Sequence, residues 1–270
     1  MHMPRLYSFL AAILCSIFVS SAWAERTTED DEKLINDPRV QHRSYVFEPT
    51  GETLPYAVFV PSTYQAGSAS PLVIALHGLG RTYDWLMGYE GFLDYAEATG
   101  VIVATPLGYT RRGWYGSRAT PDPMDAAYSE ADVMAVLAMM REEFSVDENR
   151  IYLYGHSMGG AGTYHIATKN PYVFAALAVA APAPLHDLAP DGLAAIRHIP
   201  TLVLQGTADD AVPVDMTRRW VREMQAIGMP HVYVEIEGAD HSLFISQNRE
   251  NMRKVISFFD IVRKHYPPAH

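Results

Sequence analysis

Residues 151–160 read IYLYGHSMGG, and this stretch decides how the rest of the chain is interpreted. Its first four residues are apolar or aromatic, which is typical of a buried strand. The next five, Gly155 to Gly159, form the pattern G-x-S-x-G around Ser157, and a helical stretch follows over 161–169. A serine between a strand and a helix lies on a strained turn whose crowded backbone admits only small neighbours. The pattern therefore predicts a strand, a tight turn and a helix, with the Ser157 hydroxyl projecting above a sheet.

Groups that could activate Ser157 lie downstream, after two further apolar runs. A serine hydroxyl is a weak nucleophile at neutral pH and needs a base, which a carboxylate orients. Asp209 and Asp210 follow the run 201–204, and His241 follows the run 231–237. The carboxyl ends of parallel strands gather at one edge of a sheet. The sequence thus predicts that Ser157, one of the two carboxylates and His241 meet, in the chain order Ser, Asp, His.

Short apolar runs alternate with longer amphipathic stretches from residue 43 onward, which predicts an α/β fold with a parallel sheet and crossover helices. The first two runs are expected to pair antiparallel across residues 49–51. The others are nearly continuous in apolar residues and are expected to be buried parallel strands. The predicted strands are 43–48, 56–60, 72–76, 101–105, 151–154, 176–180, 201–204 and 231–237.

Apolar residues recur at helical spacing over 129–144, 214–227 and 243–264, and their Met and aromatic residues are expected to be core. No internal repeat or Pro/Gly/Ser-rich linker interrupts this part of the chain. We therefore expect one catalytic domain over 43–266. Residues 25–42 are polar and acid-rich, and we expect them to be a loosely ordered segment without a catalytic role.

The first 24 residues have the pattern of a secretory signal peptide: Arg5, an apolar run over 6–19, and Ala22-Trp23-Ala24 as a cleavage site. The apolar run is shorter than the roughly 20 residues that span a bilayer, which favours cleavage after Ala24 over a membrane anchor. The single cysteine, Cys15, lies in this run, so the mature chain would contain none. We expect a periplasmic or secreted protein without stable membrane insertion.

The charge balance and the spacing of the histidines argue against two kinds of partner. The chain has 21 Lys and Arg against 31 Asp and Glu, a net charge of -10, and no basic run, so we expect no nucleic-acid partner. The histidines outside the predicted triad have no clustered ligand spacing, so we expect no metal and no cofactor. His156, at the variable position of the motif, is expected to have a surface or structural role.

Four segments resemble motifs of the α/β-hydrolase superfamily. Residues 71–80 resemble its third strand and oxyanion loop, 155–159 its nucleophile elbow, 206–209 its acid loop, and Asp240-His241 its histidine loop. The details are similar to the secreted carboxylesterase, dienelactone-hydrolase and prolyl-oligopeptidase-like branches. The resemblance implies a single-domain fold with a mostly parallel eight-stranded sheet, helices on both faces and a minimal cap. It also implies a serine carboxylester hydrolase that forms an acyl-enzyme.

The resemblance assigns roles to particular residues. In the family the acid lies three residues after the loop glycine, which selects Asp209 over Asp210 and implies a triad of Ser157, Asp209 and His241. The oxyanion hole would be the backbone N–H groups of Leu79 and Met158. Asp240 is expected to shape its loop.

Substrate-binding residues are expected on loops that follow strands, since such loops lie over the catalytic edge. Tyr109, Trp114 and Tyr115 lie on one such loop and His186 on another. The aromatic residues either contact the substrate or close their loop against the sheet. The expected partner is a small-molecule or polymeric ester.

Two alternatives remain open from the sequence alone. One is a serine peptidase of the prolyl-oligopeptidase-like branch, and the other is a non-catalytic binding protein on the same fold. The sequence leaves the oligomeric state undetermined.

Overall fold

An eight-stranded sheet forms the centre of the protein. The computed structural model describes residues 33–118, 120–184 and 190–264. The spatial order of the strands is β1-β2-β4-β3-β5-β6-β7-β8. β2 runs antiparallel to β1 and to β4, and all other neighbours are parallel. The strands are β1 Gln41–Phe47, β2 Glu52–Phe59, β3 Ser70–Leu76, β4 Ile102–Pro106, β5 Val146–His156, β6 Ala176–Ala180, β7 Thr201–Gly206 and β8 His231–Ile236.

Helices cover both faces of this sheet, so the predicted fold is confirmed. The helices are α1 Phe92–Thr99, α2 Pro123–Glu143, α3 Met158–Lys169, α4 Val214–Ala226, α5 Leu243–Ser246 and α6 Arg249–Ile261. Side chains alternate along each strand, so β3 sends Leu72 and Ile74 into one apolar core and Val73 and Ala75 into the other. The first core contains α2, α3 and α4, and the second contains α1, α5 and α6.

The eight predicted strands are present, but β8 is not the buried strand that its composition predicts. It pairs only with β7, and its Val232 side chain is 47% exposed. β8 is one of the two outermost strands of the sheet, so it has a strand neighbour on one side only and its burial is incomplete. Apolar composition alone does not distinguish an edge strand from a central one.

Three differences between the predicted and the observed helices are the largest. α2 begins six residues early, since Asp122 caps its first turn by accepting from Met124 N. The stretch predicted as one helix is divided into α5 and α6, because Asn248 caps the second by accepting from Asn251 N. α1 was not predicted; it is a short helix of eight residues between two glycines with positive φ.

The residues before β1 lie against the rest of the fold. Ile35 N donates a hydrogen bond to Asp84 Oδ2 at 2.6 Å, and Ile35 O lies 3.2 Å from His42 Nε2 on β1. In the part of this segment that the structure describes, 33–40, Ile35 therefore makes specific hydrogen bonds to the residues that follow. The predicted signal peptide lies outside the described residues. Among the described residues, no helix is both long and apolar enough to cross a bilayer.

Candidate active site

Ser157 lies in the turn between β5 and α3 with a left-handed backbone, φ 58° and ψ -116°. Such a conformation costs a non-glycine residue about 1–3 kcal/mol and persists only where the surroundings enforce it. Here the surroundings are very close: a Cβ on Gly155 would lie 2.0 Å from Gly159 O, and one on Gly159 would lie 2.0 Å from Leu76 O. The glycines of the G-x-S-x-G pattern are therefore required by space, as the sequence predicts.

Ser157, His241 and Asp209 form a continuous hydrogen-bonded chain. Ser157 Oγ lies 2.9 Å from His241 Nε2, and His241 Nδ1 lies 2.8 Å from Asp209 Oδ2. The carboxylate accepts from Nδ1–H, so Nε2 is the ring nitrogen that accepts from the Ser157 hydroxyl. The three residues come from the carboxyl ends of β5, β7 and β8, which the strand order places along one edge of the sheet.

The carboxylate of Asp209 is held by three further donors. Oδ1 accepts from the N–H groups of Ala211 at 2.9 Å and Val212 at 2.7 Å, and Oδ2 accepts from Gln205 Nε2 at 2.9 Å. Burial, the largest influence, raises the pKa of Asp209, but the hydrogen bonds from His241, Val212 and Ala211 together lower that pKa below its usual value. Asp209 is therefore a charged acceptor with a fixed direction toward His241.

The two neighbouring acids are arranged differently. Asp210 is exposed, and no hydrogen bond joins it to His241 among the described residues. The Oδ1 atom of Asp240 accepts from the N–H groups of Ser242, Leu243 and Phe244, at 3.2, 2.8 and 3.3 Å. Asp240 therefore caps the short helix that follows His241 and shapes that loop.

Two backbone donors lie close to Ser157. Met158 is the first residue of α3, whose first N–H groups have no partner within the helix. Leu79 lies on the loop after β3, and a Cβ on the preceding Gly78 would lie 3.7 Å from Ser157 Cβ. Within the described part of the chain, neither Leu79 N–H nor Met158 N–H donates to another backbone group. These two N–H groups are therefore the candidate donors of an oxyanion hole.

Of the aromatic residues expected to bind substrate, Tyr115 is placed elsewhere. Its side chain is 0% exposed and packs over Gly162, and its hydroxyl donates to His77 O at 3.4 Å. Burial removes Tyr115 from any pocket wall, so it closes its loop against the core. His77, also buried, places one ring nitrogen 2.7 Å from Leu107 O and braces the oxyanion loop.

Of the remaining three substrate-binding candidates, two pack against neighbouring side chains and one lies outside the described residues. The Tyr109 ring packs on Phe47 and Tyr128, and its hydroxyl donates to Glu52 at 2.7 Å. These partners lie at β1, β2 and α2, so Tyr109 also closes its loop. Trp114 is half-buried beneath the Arg118 guanidinium, 4.9 Å from the ring centroid. His186 lies outside the described residues.

Sequence reasoning missed a group of rings beside the triad. His156 is only 1% exposed and stacks on Trp85, with centroids 5.6 Å apart and planes at 14°. Tyr89 places its hydroxyl 2.5 Å from His156 Nδ1. A signal for His156 was available, since the residue before a nucleophile on such a turn is necessarily close to it. Trp85 and Tyr89 have no such signal.

A cavity of about 410 Å³ opens beside the histidine loop. Polar groups predominate among its walls, and the Arg81 guanidinium lies 4.9 Å over the Trp85 ring. The lining residues are Ile35, Arg81, Trp85, Gly88, Tyr89, Glu90, Ser242, Leu243, Ser246 and Gln247. Among the described residues, no group of three or more His, Cys, Asp or Glu side chains could hold a metal ion.

The sequence of the chain is similar to those of known esterases. Residues 48–238 match the family model Esterase, described as "Putative esterase". The chain is 29% identical over 217 residues to NocK of Nocardia uniformis subsp. tsuyamanensis, an alignment covering 77% of this chain and 60% of NocK. It is 29% identical over 155 residues to the bifunctional acetylxylan esterase/xylanase XynS20E of Neocallimastix patriciarum, covering 57% of this chain and 21% of that protein.

The fold is also that of solved esterase structures. A ferulic acid esterase from Anaeromyces mucronatus superposes with a TM-score of 0.66 at 19% identity, over 87% of this chain and 96% of that one. At this identity the likeness concerns the fold.

Proposed function

The chain belongs to the esterase family whose model matches residues 48–238, and from this premise we propose that it hydrolyses carboxylic esters through an acyl-enzyme on Ser157. The observation that carries the proposal is the hydrogen-bonded chain from Ser157 Oγ through His241 to Asp209, at 2.9 and 2.8 Å. Nucleophile, base and orienting acid are thus within bonding distance before any substrate arrives.

The proposed reaction has two halves. In the first, His241 Nε2 takes the Ser157 proton, Oγ attacks the ester carbonyl, and the oxyanion lies at the N–H groups of Leu79 and Met158. His241 then gives the proton to the departing alcohol, which leaves the acyl group on Ser157. In the second half, His241 takes a proton from water and the resulting hydroxide attacks the acyl carbonyl. The bond between Ser157 Oγ and the acyl carbon then breaks, His241 returns the proton to Oγ, and the carboxylic acid leaves. Loss of one oxyanion donor typically lowers kcat by about 10²- to 10³-fold.

The alcohol part of the ester is proposed to lie in the cavity beside the histidine loop. His241 must reach the departing oxygen, so the alcohol leaves on the side of this loop. Ser242, Ser246, Gln247 and Glu90 line that cavity and offer hydroxyl, amide and carboxylate groups. A hydroxyl-rich alcohol such as a sugar fits this lining, in agreement with the acetylxylan esterase among the similar proteins.

The experiment for the activity compares wild type with Ser157→Ala. Each purified protein is treated with a fluorophosphonate probe and assayed with p-nitrophenyl acetate and butyrate. We expect probe labelling and ester turnover in wild type only. A folded wild-type chain that is neither labelled nor active would overturn the proposal and favour a non-catalytic binding protein. Faster turnover of a proline p-nitroanilide than of these two esters would favour a peptidase.

The alcohol preference is tested with one acyl group on two alcohols. The values of kcat/KM are compared for an acetylated xylo-oligosaccharide and for ethyl acetate. We expect a preference for the sugar ester of at least tenfold, about 1.4 kcal/mol. Equal values would show that the cavity does not select the alcohol.

We also propose that the protein is periplasmic or secreted, because residues 1–24 have the pattern of a cleaved signal peptide. N-terminal sequencing of the protein exported from a bacterial host should begin at Glu25. A retained leader would contradict export.

A further inference from the structure

A second imidazole lies directly behind the candidate catalytic histidine. His156 precedes Ser157 in the chain, and its Nε2 atom is 2.9 Å from the backbone oxygen of His241. The two imidazole rings have centroids 5.1 Å apart. His156 therefore connects the two loops that carry the proposed nucleophile and the proposed base.

The hydrogen-bond partners fix the tautomer of His156. A carbonyl oxygen only accepts, so Nε2 carries the proton and donates it to His241 O. Nδ1 is then the acceptor for the Tyr89 hydroxyl at 2.5 Å. Burial, followed by the nearby charge of His241, lowers the pKa of His156 to about 3. The ring is thus a neutral donor over the whole working range of such an enzyme.

Packing fixes the orientation of the same ring. Trp85 stacks on one face, and Phe244 meets the ring edge-on at 6.5 Å between centroids. Tyr89, whose hydroxyl bonds Nδ1, is buried and packs edge-on against Trp85 at 5.0 Å. With these contacts, the direction of the donated hydrogen bond is set by the core and not by the loops.

We propose that His156 is a positioning residue: by donating from Nε2 to the backbone oxygen of His241, it holds the histidine loop so that the His241 imidazole meets Ser157 Oγ. The inference rests on the proposed function, because it takes His241 as the general base. The loop needs such support, since residue 241 lies between β8 and α5, outside any helix or strand. A displacement of about 1 Å in a catalytic group can cost on the order of 10²-fold in rate.

Two substitutions separate the donated hydrogen bond from the volume of the ring. His156→Gln keeps an N–H donor near the Nε2 position, whereas His156→Leu fills similar space without a donor. We expect His156→Leu to lower kcat by about 10- to 100-fold with KM within about twofold, and His156→Gln to stay within about fivefold of wild type. Fluorophosphonate labelling should slow in parallel.

The matched control is His198→Leu. The His198 ring also has Nε2 on a backbone oxygen, that of Pro171 at 2.8 Å, and also stacks on an aromatic ring, that of Tyr172. It precedes β7 and so lies at the amino ends of the parallel strands, whereas the triad lies at their carboxyl ends. We expect unchanged kcat. A folded His156→Leu with wild-type kcat, or a folded His156→Gln as impaired as His156→Leu, would overturn the proposal.

A spectroscopic measurement keeps the inference independent of turnover. The His241 Nδ1 proton, bonded to Asp209, should give a far-downfield proton NMR resonance in wild type and in Ser157→Ala. We expect it to broaden or vanish in His156→Leu and to persist in His156→Gln; persistence in both would contradict the proposal. If His156→Leu does not fold, Tyr89→Phe is used, where an unchanged resonance and kcat would be the contradicting result. A wild type with the resonance but no esterase activity would refute only the proposed function.

Discussion

The adjacent residues Asp209 and Asp210 carry the same side chain in different surroundings. Asp209 is 5% exposed and bonds His241, two backbone N–H groups and Gln205. Asp210 is exposed. The backbone turn thus separates two identical groups into one that orients the imidazole and one that faces solvent.

We expect Asp209→Asn to lower kcat by roughly 10³- to 10⁴-fold, because a neutral amide neither stabilises the imidazolium nor holds the required tautomer. Asp210→Asn is the matched control and should leave kcat within about twofold of wild type. Steady-state kinetics on p-nitrophenyl acetate decide the matter. A comparable loss in both variants would contradict the assignment of Asp209.

The buried imidazole of His156 predicts a pH dependence of stability. Its pKa is about 3 in the folded chain against 6.5 unperturbed, so the unfolded chain binds a proton that the folded chain excludes. The stabilisation is complete above about pH 6.5 and is lost as pH falls toward the folded pKa, by up to about 1.4 kcal/mol per pH unit.

His156→Gln lacks this titration, so the free energy of unfolding of wild type should fall relative to that of the variant between about pH 6.5 and 5. Urea unfolding at several pH values measures the difference. Parallel pH profiles for the two proteins would contradict this, because they would show that His156 binds its proton equally well in the folded and unfolded chains over this range.

Among the elements, α2 fixes the loop that follows β4. Asp132, buried on α2, accepts from the N–H groups of Gly108 at 2.6 Å and Tyr109 at 3.0 Å, and from the Tyr45 hydroxyl at 2.5 Å. Burial raises the pKa of this carboxyl. The backbone N–H groups of this loop have no neighbouring strand to accept their hydrogen bonds, and the Asp132 carboxylate of α2 accepts them instead.

Asp132→Ala leaves these three donors without an acceptor, and each unsatisfied buried group costs about 1–3 kcal/mol. We expect a loss of about 3 kcal/mol in the free energy of unfolding. Glu142→Ala, an exposed change on the same helix, should alter it by less than about 0.5 kcal/mol. Chemical denaturation of both variants provides the comparison, and equal stabilities would contradict the role of Asp132.

The elements themselves were predictable from apolar periodicity, but their ends and environments were not. The stretch 243–264 has one continuous helical pattern, and only the local cap at Asn248 divides it. Tyr115 is an aromatic residue on a loop, as a pocket residue often is, yet its ring packs in the core over Gly162, which has no side chain there. Such outcomes depend on which surfaces meet, and that information is not local in sequence.

For the whole molecule, the segment before β1 is part of the folded unit. The buried Asp84 carboxylate accepts from Ile35 N at 2.6 Å, and its Oδ1 has no partner among the described residues. Ile35 also lines the cavity beside the histidine loop. The segment, for which the sequence predicts no catalytic role, thus contributes the Ile35 side of this cavity.

Ile35→Pro removes the backbone donor to Asp84, whereas Ile35→Ala removes only the side chain. We expect Ile35→Pro to be less stable than Ile35→Ala by about 1–3 kcal/mol, since Asp84 is left buried with a further unsatisfied oxygen. Thermal or urea unfolding of the two variants tests this. An Ile35→Ala variant of equal or lower stability would show that packing, and not the hydrogen bond, anchors the segment.

The convergence of Ser157, Asp209 and His241 at one edge was predictable, because each follows a strand of a parallel sheet. The contact of His156 with His241 O was not, since it depends on a ring orientation set by Trp85 and Tyr89. Sequence order fixes which strand ends gather, and side-chain packing fixes which atoms touch.

The position of β8 at the sheet edge gives His241 fewer supporting strand contacts than Ser157 and Asp209 have. Ser157 and Asp209 follow strands with neighbours on both sides, whereas His241 follows a strand bonded only to β7. Partial opening of a protein begins where few contacts must be broken. In increasing urea, esterase activity should therefore disappear at a lower concentration than the far-UV circular dichroism signal, so that the earliest product of denaturation is a nearly native chain in which only the loop of His241, the proposed base, has opened.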